Sequence, residues 1–177
     1  MNNRSVFFFF ILFSMVAKAQ NPVTLKLSDT VPVFETLNQD AQAFVLDTTL
    51  KRPLVLLFWA SWNEASRQLI SELKQAYPAI NPVKRAKLQL NIDVIDFCMD
   101  TKQDLHQLAL KRENFPWPVH LADYKGWESE VINLLKIQKV PTLLIVDETR
   151  KIIVIDPDMK QLRSTLSNIK VNAQLPN

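Results

Sequence analysis

Leu54 to Trp59 reads L-V-L-L-F-W, six apolar residues with no polar position among them. A strand with one wet face alternates apolar and polar residues. An unbroken run instead marks a strand covered on both faces, as in a parallel sheet under helices. A helix start follows. Asn63 is a good N-cap residue, and Glu64 adds negative charge in the first turn. Ala65, Leu69, Ile70, Leu73, Ala76 and Tyr77 recur at helical spacing, and Pro78 is expected to stop the helix. A covered strand that turns into a helix calls for a layered α/β fold. It also leaves unpaired N–H groups and the positive end of the helix dipole at the turn.

The N-terminus reads as a leader. Arg4 precedes the apolar run Val6 to Phe13, and the segment ends Ala17-Lys18-Ala19. This pattern predicts a signal peptide over residues 1–19, cleavage after Ala19, export to the periplasm and no stable membrane anchor afterwards. The apolar core is too short to span a bilayer comfortably. The chain carries 21 Lys and Arg against 18 Asp and Glu. Arg4 and Lys18 leave with the leader, so the mature protein is nearly neutral and no basic tract points to nucleic acid. Cys98 is the single cysteine, so no internal disulfide can form.

The remaining pattern alternates strands and helices. Residues 20–30 read as an extended lead-in to a domain over 31–170, with a tail over 171–177. Val31 to Leu37 alternates loosely, and Pro32 suggests an edge strand or irregular arm. Ala43–Leu46, Leu90–Met99 and Val119–Leu121 are strand candidates. Asn81 to Lys87 reads as a connection with Lys84, Arg85 and Lys87 in solvent. Thr101, with Asp104 behind it, is expected to cap a helix that buries Leu105, Leu108 and Ala109. Trp127, Val131, Leu134 and Leu135 share a second helical face. Val140-Pro141-Thr142 opens the run Leu143–Val146, and Lys151–Ile155 returns as its antiparallel partner. Asp156-Pro157 is expected to start the last helix, with Met159, Leu162, Leu166 and Ile169 facing inward. Gly126 is the only glycine, so turns with positive φ should fall to Asn or Asp.

The order of elements, F-W-A-S-W at Phe58–Trp62 before a helix, Asp100 after its strand and V-P-T at Val140–Thr142 resemble the thioredoxin-like fold. The chain is most similar to exported TlpA-like thiol:disulfide oxidoreductases, relatives of the AhpC/TSA peroxiredoxins. The resemblance spans Val31 to Ile169. It implies a three-layer α/β/α sandwich with a mixed central sheet. It also implies that Pro141 is the family's cis-proline beside a peptide-binding groove. The family's two cysteines fall on Asn63 and Ser66, and its buried proton-handling acid on Leu57 or Leu69. An amide cannot attack a disulfide, and a serine without a base is a poor nucleophile.

The sequence therefore points to a non-catalytic binding or assembly module. Its groove would be formed by Trp62, Asn63, Val140, Pro141 and Thr142, and its partner would be a protein or extended peptide. Two alternatives stand beside it: an oxidoreductase or peroxidase-type enzyme using the lone thiol of Cys98, and a folding assistant that exchanges no disulfides. Cys98 itself reads first as a small buried apolar residue, with Asp96 and Asp100 raising its pKa. His106 and His120 have no Cys or Glu at ligand spacing, so no metal or other cofactor is expected. Neither histidine can be placed beside Ser61 or Ser66 to activate it.

Overall fold

The structure, a computed structural model, describes residues 24–46, 52–80 and 92–172. The leader, the connection at 81–87 and the end of the tail lie outside these residues. Among the described residues the strands are β1 (Phe34–Asn38), β2 (Ala43–Leu46), β3 (Leu54–Trp59), β4 (Asp93–Cys98), β5 (Val119–Ala122), β6 (Thr142–Val146) and β7 (Ile152–Ile155). The helices are α1 (Glu64–Ile80), α2 (Gln103–Glu113), α3 (Glu130–Leu134) and α4 (Met159–Asn172), with a 3₁₀ turn at Gly126–Glu128.

The strands form one mixed sheet in the order β2-β1-β5-β4-β3-β6-β7. β3 pairs parallel with β4 and antiparallel with β6. Every residue of β3 is buried, because alternate side chains enter two cores. Leu54, Leu56 and Phe58 join Phe97, Val131, Ile132 and Leu144 on one face. Val55, Leu57 and Trp59 join Ile70 and Leu73 of α1, Ala109 of α2 and Leu162 of α4 on the other. This is the three-layer sandwich expected from the sequence. It places the N-terminus of α1 at the carboxyl end of β3, in the middle of the sheet.

Several local expectations are corrected. Pro32 does not mark an edge. It lies ahead of β1, which is hydrogen-bonded on both sides, and β2 is the edge strand. A proline outside the strand removes no ladder donor. Helix α1 runs past Pro78 to Ile80, since a proline in the last turn forfeits only one internal bond. Lys102, not Thr101, caps α2, and it does so without a side-chain hydrogen bond. Leu105 and Leu108 face solvent while His106 is buried beside Ala109. Trp127 and Leu134 are likewise exposed, and Val131, Ile132 and Leu135 are the buried face. Asp158, not Asp156, caps α4, accepting from the Gln161 N–H at 2.7 Å.

Positive φ is not confined to Asn and Asp. Asn114 and Asp156 adopt it, but so do Ser28, Ala41, Tyr124, Lys136 and Arg150. Each non-glycine residue there costs on the order of 1 kcal/mol, which tertiary contacts offset. Arg150, for example, receives Val31 N–H at 2.9 Å and donates its guanidinium to the Val31 carbonyl.

Gly126 sits at φ +57°, and a Cβ there would meet Thr101 Cγ2 at 3.0 Å. Gly126→Ala should therefore destabilise the fold by about 1–2 kcal/mol. Urea titration checks this. Combining it with Thr101→Ser, which removes the methyl group, should recover part of the loss.

Candidate functional site

The turn after β3 is held by side chains that occupy the positions of the expected dithiol. Asn63 N–H donates to Ala60 O at 3.1 Å, and Asn63 Oδ1 accepts from Ser66 N–H at 2.8 Å. That is an N-cap satisfying one of the orphan donors of the first turn. Ser66 is fully buried, and its Oγ accepts from Ala60 N–H at 3.3 Å. From the neighbouring strand end, Asp100 Oδ1 accepts from Ser61 N–H at 2.9 Å. Arg67 Nη1 donates to Ser61 O at 3.0 Å. Trp62, at the crown of this turn, is 59% exposed.

Antiparallel pairing of Phe58 with Thr142 brings the start of β6 alongside the end of β3. The Val140–Pro141 peptide bond is cis. Thr142 Oγ1 donates to Lys139 O at 2.9 Å. Val140 is half-buried, and among the described residues its N–H and C=O have no hydrogen-bond partner. Trp62, Asn63, Val140, Pro141 and Thr142 thus lie on two neighbouring elements at one end of the sheet.

Leu57 and Leu69, where the resemblance would put the family's acid, are apolar, and a buried carboxylate lies one strand away from Leu57. Asp96 of β4 is the register partner of Leu57 and is fully buried. Its Oδ1 accepts from Trp59 Nε1 at 2.6 Å. Its Oδ2 accepts from Trp117 Nε1 at 2.7 Å and contacts His120 Nδ1 at 2.5 Å. Sequence reading missed this hub. The available signal was an acid inside an apolar strand at a position whose neighbours two residues away, Val94 and Cys98, point into the core.

The two histidines, unplaceable from sequence, both lie near Asp96. His106 is fully buried on α2, 6.2 Å from the Trp59 ring, with Nδ1 3.3 Å from Tyr124 Oη and Nε2 unpartnered. Burial lowers its pKa, a shift opposed by Asp96 and Asp100 and reinforced by His120. Phe115 stacks between Trp59 and His120, at 5.3 and 5.0 Å. Neither histidine is hydrogen-bonded to Ser61 or Ser66.

Cys98 is buried at the end of β4. Burial, and then the Asp100 carboxylate, push its thiol well above the usual 9.0; Asp96 adds to this and an Asp100 backbone hydrogen bond partly offsets it. A thiol in that state supplies little thiolate. Among the described residues no group of three or more His, Cys, Asp or Glu side chains is arranged to hold a metal. No described helix is long and apolar enough to cross a membrane.

A family model described as thioredoxin-like matches residues 51–153, which contain both the turn at Asn63 and the cis-proline. The chain belongs to the thioredoxin-like family. No curated protein matches it in sequence. Among solved structures, a thiol-disulfide oxidoreductase from Bacteroides fragilis superposes with a TM-score of 0.69 at 23% identity, covering 80% of this chain and 99% of that one. A thiol:disulfide interchange protein from a Bacteroides species gives 0.69 at 15% identity, covering 85% and 93%. A secreted disulfide oxidoreductase from Mycobacterium tuberculosis gives 0.61 at 15% identity, covering 76% and 95%. At these identities the likeness establishes the thioredoxin-like fold.

Two measurements follow from the geometry. Asn63→Ala removes the α1 cap and should lower the urea-unfolding free energy by about 1 kcal/mol. The pH profile of stability should fall at both ends. His106 binds its proton less readily folded than unfolded, so stability is lost as pH drops through the ordinary 6.5. Cys98 holds its proton more tightly folded, so stability is lost as pH rises through 9.0. His106 is faced by Asp96, Asp100, His120 and Tyr124, and Cys98 by Asp96, Asp100 and Tyr124, whose own phenol is raised by burial and by Cys98. His106→Gln should flatten the acid limb and Cys98→Ala the alkaline limb in urea midpoints taken from pH 5 to 10.

Proposed function

We propose that this member of the thioredoxin-like family is an exported, non-catalytic binding module that holds an extended segment of another protein at the former dithiol turn. The observation that carries this reading is the pairing of unused backbone with exposed aromatic surface. Among the described residues Val140 has an N–H and a C=O without a hydrogen-bond partner beside the cis-proline, and Trp62 offers a largely exposed indole on the neighbouring turn. An added strand satisfies such backbone groups, and aromatic side chains often anchor such contacts.

The rest of the turn supports binding over chemistry. Asn63 and Ser66 are engaged in hydrogen bonds that shape the turn, and the one thiol is buried with a raised pKa. Export is supported by the leader pattern over residues 1–19, with the mature chain starting at Gln20, and by likeness to a structure described as secreted.

Trp62→Ala should weaken capture of partners from a periplasmic extract by about 2 kcal/mol, near thirtyfold, with circular dichroism unchanged. Identical capture by both proteins removes the binding role from this surface. The same preparation should reduce insulin no faster than dithiothreitol alone, and a faster rate overturns the non-catalytic part.

A further inference from the structure

We propose that the segment held at Val140 is acidic: a glutamate side chain from it enters a cationic pocket formed by Lys136 and Lys139. This rests on the binding role argued above and gives the partner its chemistry. The pocket is a cavity of about 330 Å³ adjoining the cis-proline loop. Leu25, Ile137 and Ile155 supply its apolar lining, and its polar groups come from Thr24, Lys136, Gln138, Lys139, Thr142 and Asp156. Lys139 and Thr142 flank Val140–Pro141 in sequence. A chain that pairs with the Val140 backbone therefore passes beside two residues that line the cavity. Side chains alternate in direction along an extended segment, so every second one can face it.

Charge selects the side chain. Within the lining two lysines face one acid, Asp156. That acid is already committed. Its Oδ1 accepts from Leu143 N–H at 2.8 Å, and its Oδ2 pairs with Lys139 Nζ at 2.7 Å. Lys136 is only loosely paired, 4.0 Å from Asp29, with both side chains more than a third exposed. An incoming carboxylate meets Lys136 at little cost to existing bonds. It can also share Lys139, whose ammonium carries three donors. A lysine on the segment would meet two like charges. Glutamate suits the site better than aspartate because its longer methylene stem can lie along Leu25, Ile137 and Ile155 while its head reaches the ammonium groups.

The test uses the chain from Gln20 onward and a display library of random octapeptides carried internally, so that any selected carboxylate is a side chain. Sorting on the wild-type protein should enrich glutamate at one fixed position of an otherwise apolar, extended sequence. In a synthetic version of a selected peptide, Glu→Gln should weaken binding about fivefold, as expected for one partly exposed ion pair. Lys136→Glu should shift the selected residue at that position to Lys or Arg. Lys139→Gln also breaks the Asp156 pair, so circular dichroism accompanies it and the charge reversal at Lys136 is decisive. Peptides with no acidic position overturn the proposal, as does an unchanged glutamate preference on the Lys136→Glu protein. If peptides are enriched without an acid but lost on Trp62→Ala, the groove stands and the pocket falls. If wild type enriches nothing, both fall.

Discussion

Asp96 is buried in the face of the sheet that α1, α2 and α4 cover, and the structure around the turn depends on satisfying it. An unpaired carboxylate there would cost several kcal/mol. Two indole N–H groups, from Trp59 at the end of β3 and Trp117 in the proline-flanked segment, and the His120 imidazole in β5 meet the need. Those groups join three separate parts of the chain at one point. Trp59 is also the residue whose carbonyl receives the Met99 N–H at 2.7 Å, where β4 leaves the sheet toward Asp100. Asp100 in turn holds Ser61. The carboxylate in the core and the conformation of the turn at the surface are therefore linked through two strand ends. Phe115 and His106 pack around Trp59 and fill the remaining space with rings.

The turn itself is held by side-chain oxygens. A thiolate at a helix N-terminus is favoured by the unpaired N–H groups and the dipole there. Asn63 answers the same donors with an amide oxygen, which is neutral and unreactive. Ser66, buried where a second thiol would sit, takes the Ala60 N–H. The Ala60, Ser61, Asn63, Ser66 and Arg67 N–H groups each find an acceptor at the turn without a thiol. Val140 beside it is different: among the described residues its backbone N–H and C=O have no hydrogen-bond partner. Function is read from that contrast, and from the charge of the neighbouring cavity, since a fold hosts many activities.

Much of the frame was legible in sequence because its signals are local. The unbroken run at Leu54–Trp59, the cap at Asn63, the strands Ala43–Leu46 and Val119–Leu121 and the hairpin after Val140 all follow from patterns spanning a few residues. The local rules failed where a tertiary contact outweighed them. Leu105 and Leu108 look like a buried face, but α2 is rotated to put His106 against Trp59 and Tyr124. Ser28, Ala41, Tyr124, Lys136 and Arg150 adopt a backbone conformation their side chains disfavour, because surrounding contacts exceed a cost of about 1 kcal/mol each.

By itself the sequence determined the layered α/β class, the position of the turn and the presence of a single cysteine. Periodicity and covalent identity are properties of the chain before it folds. Only the tertiary structure decided that the Asp96 carboxylate is buried among distant donors, that both histidines lie near it, and that Lys136 and Lys139 line a cavity beside the cis-proline. The partners of Asp96 are 21, 24 and 37 residues away in sequence. No local pattern encodes which of many distant donors will meet a given acid. That pairing is set by strand register and by which side chains point to the same face of the sheet, and both exist only once the strands have assembled.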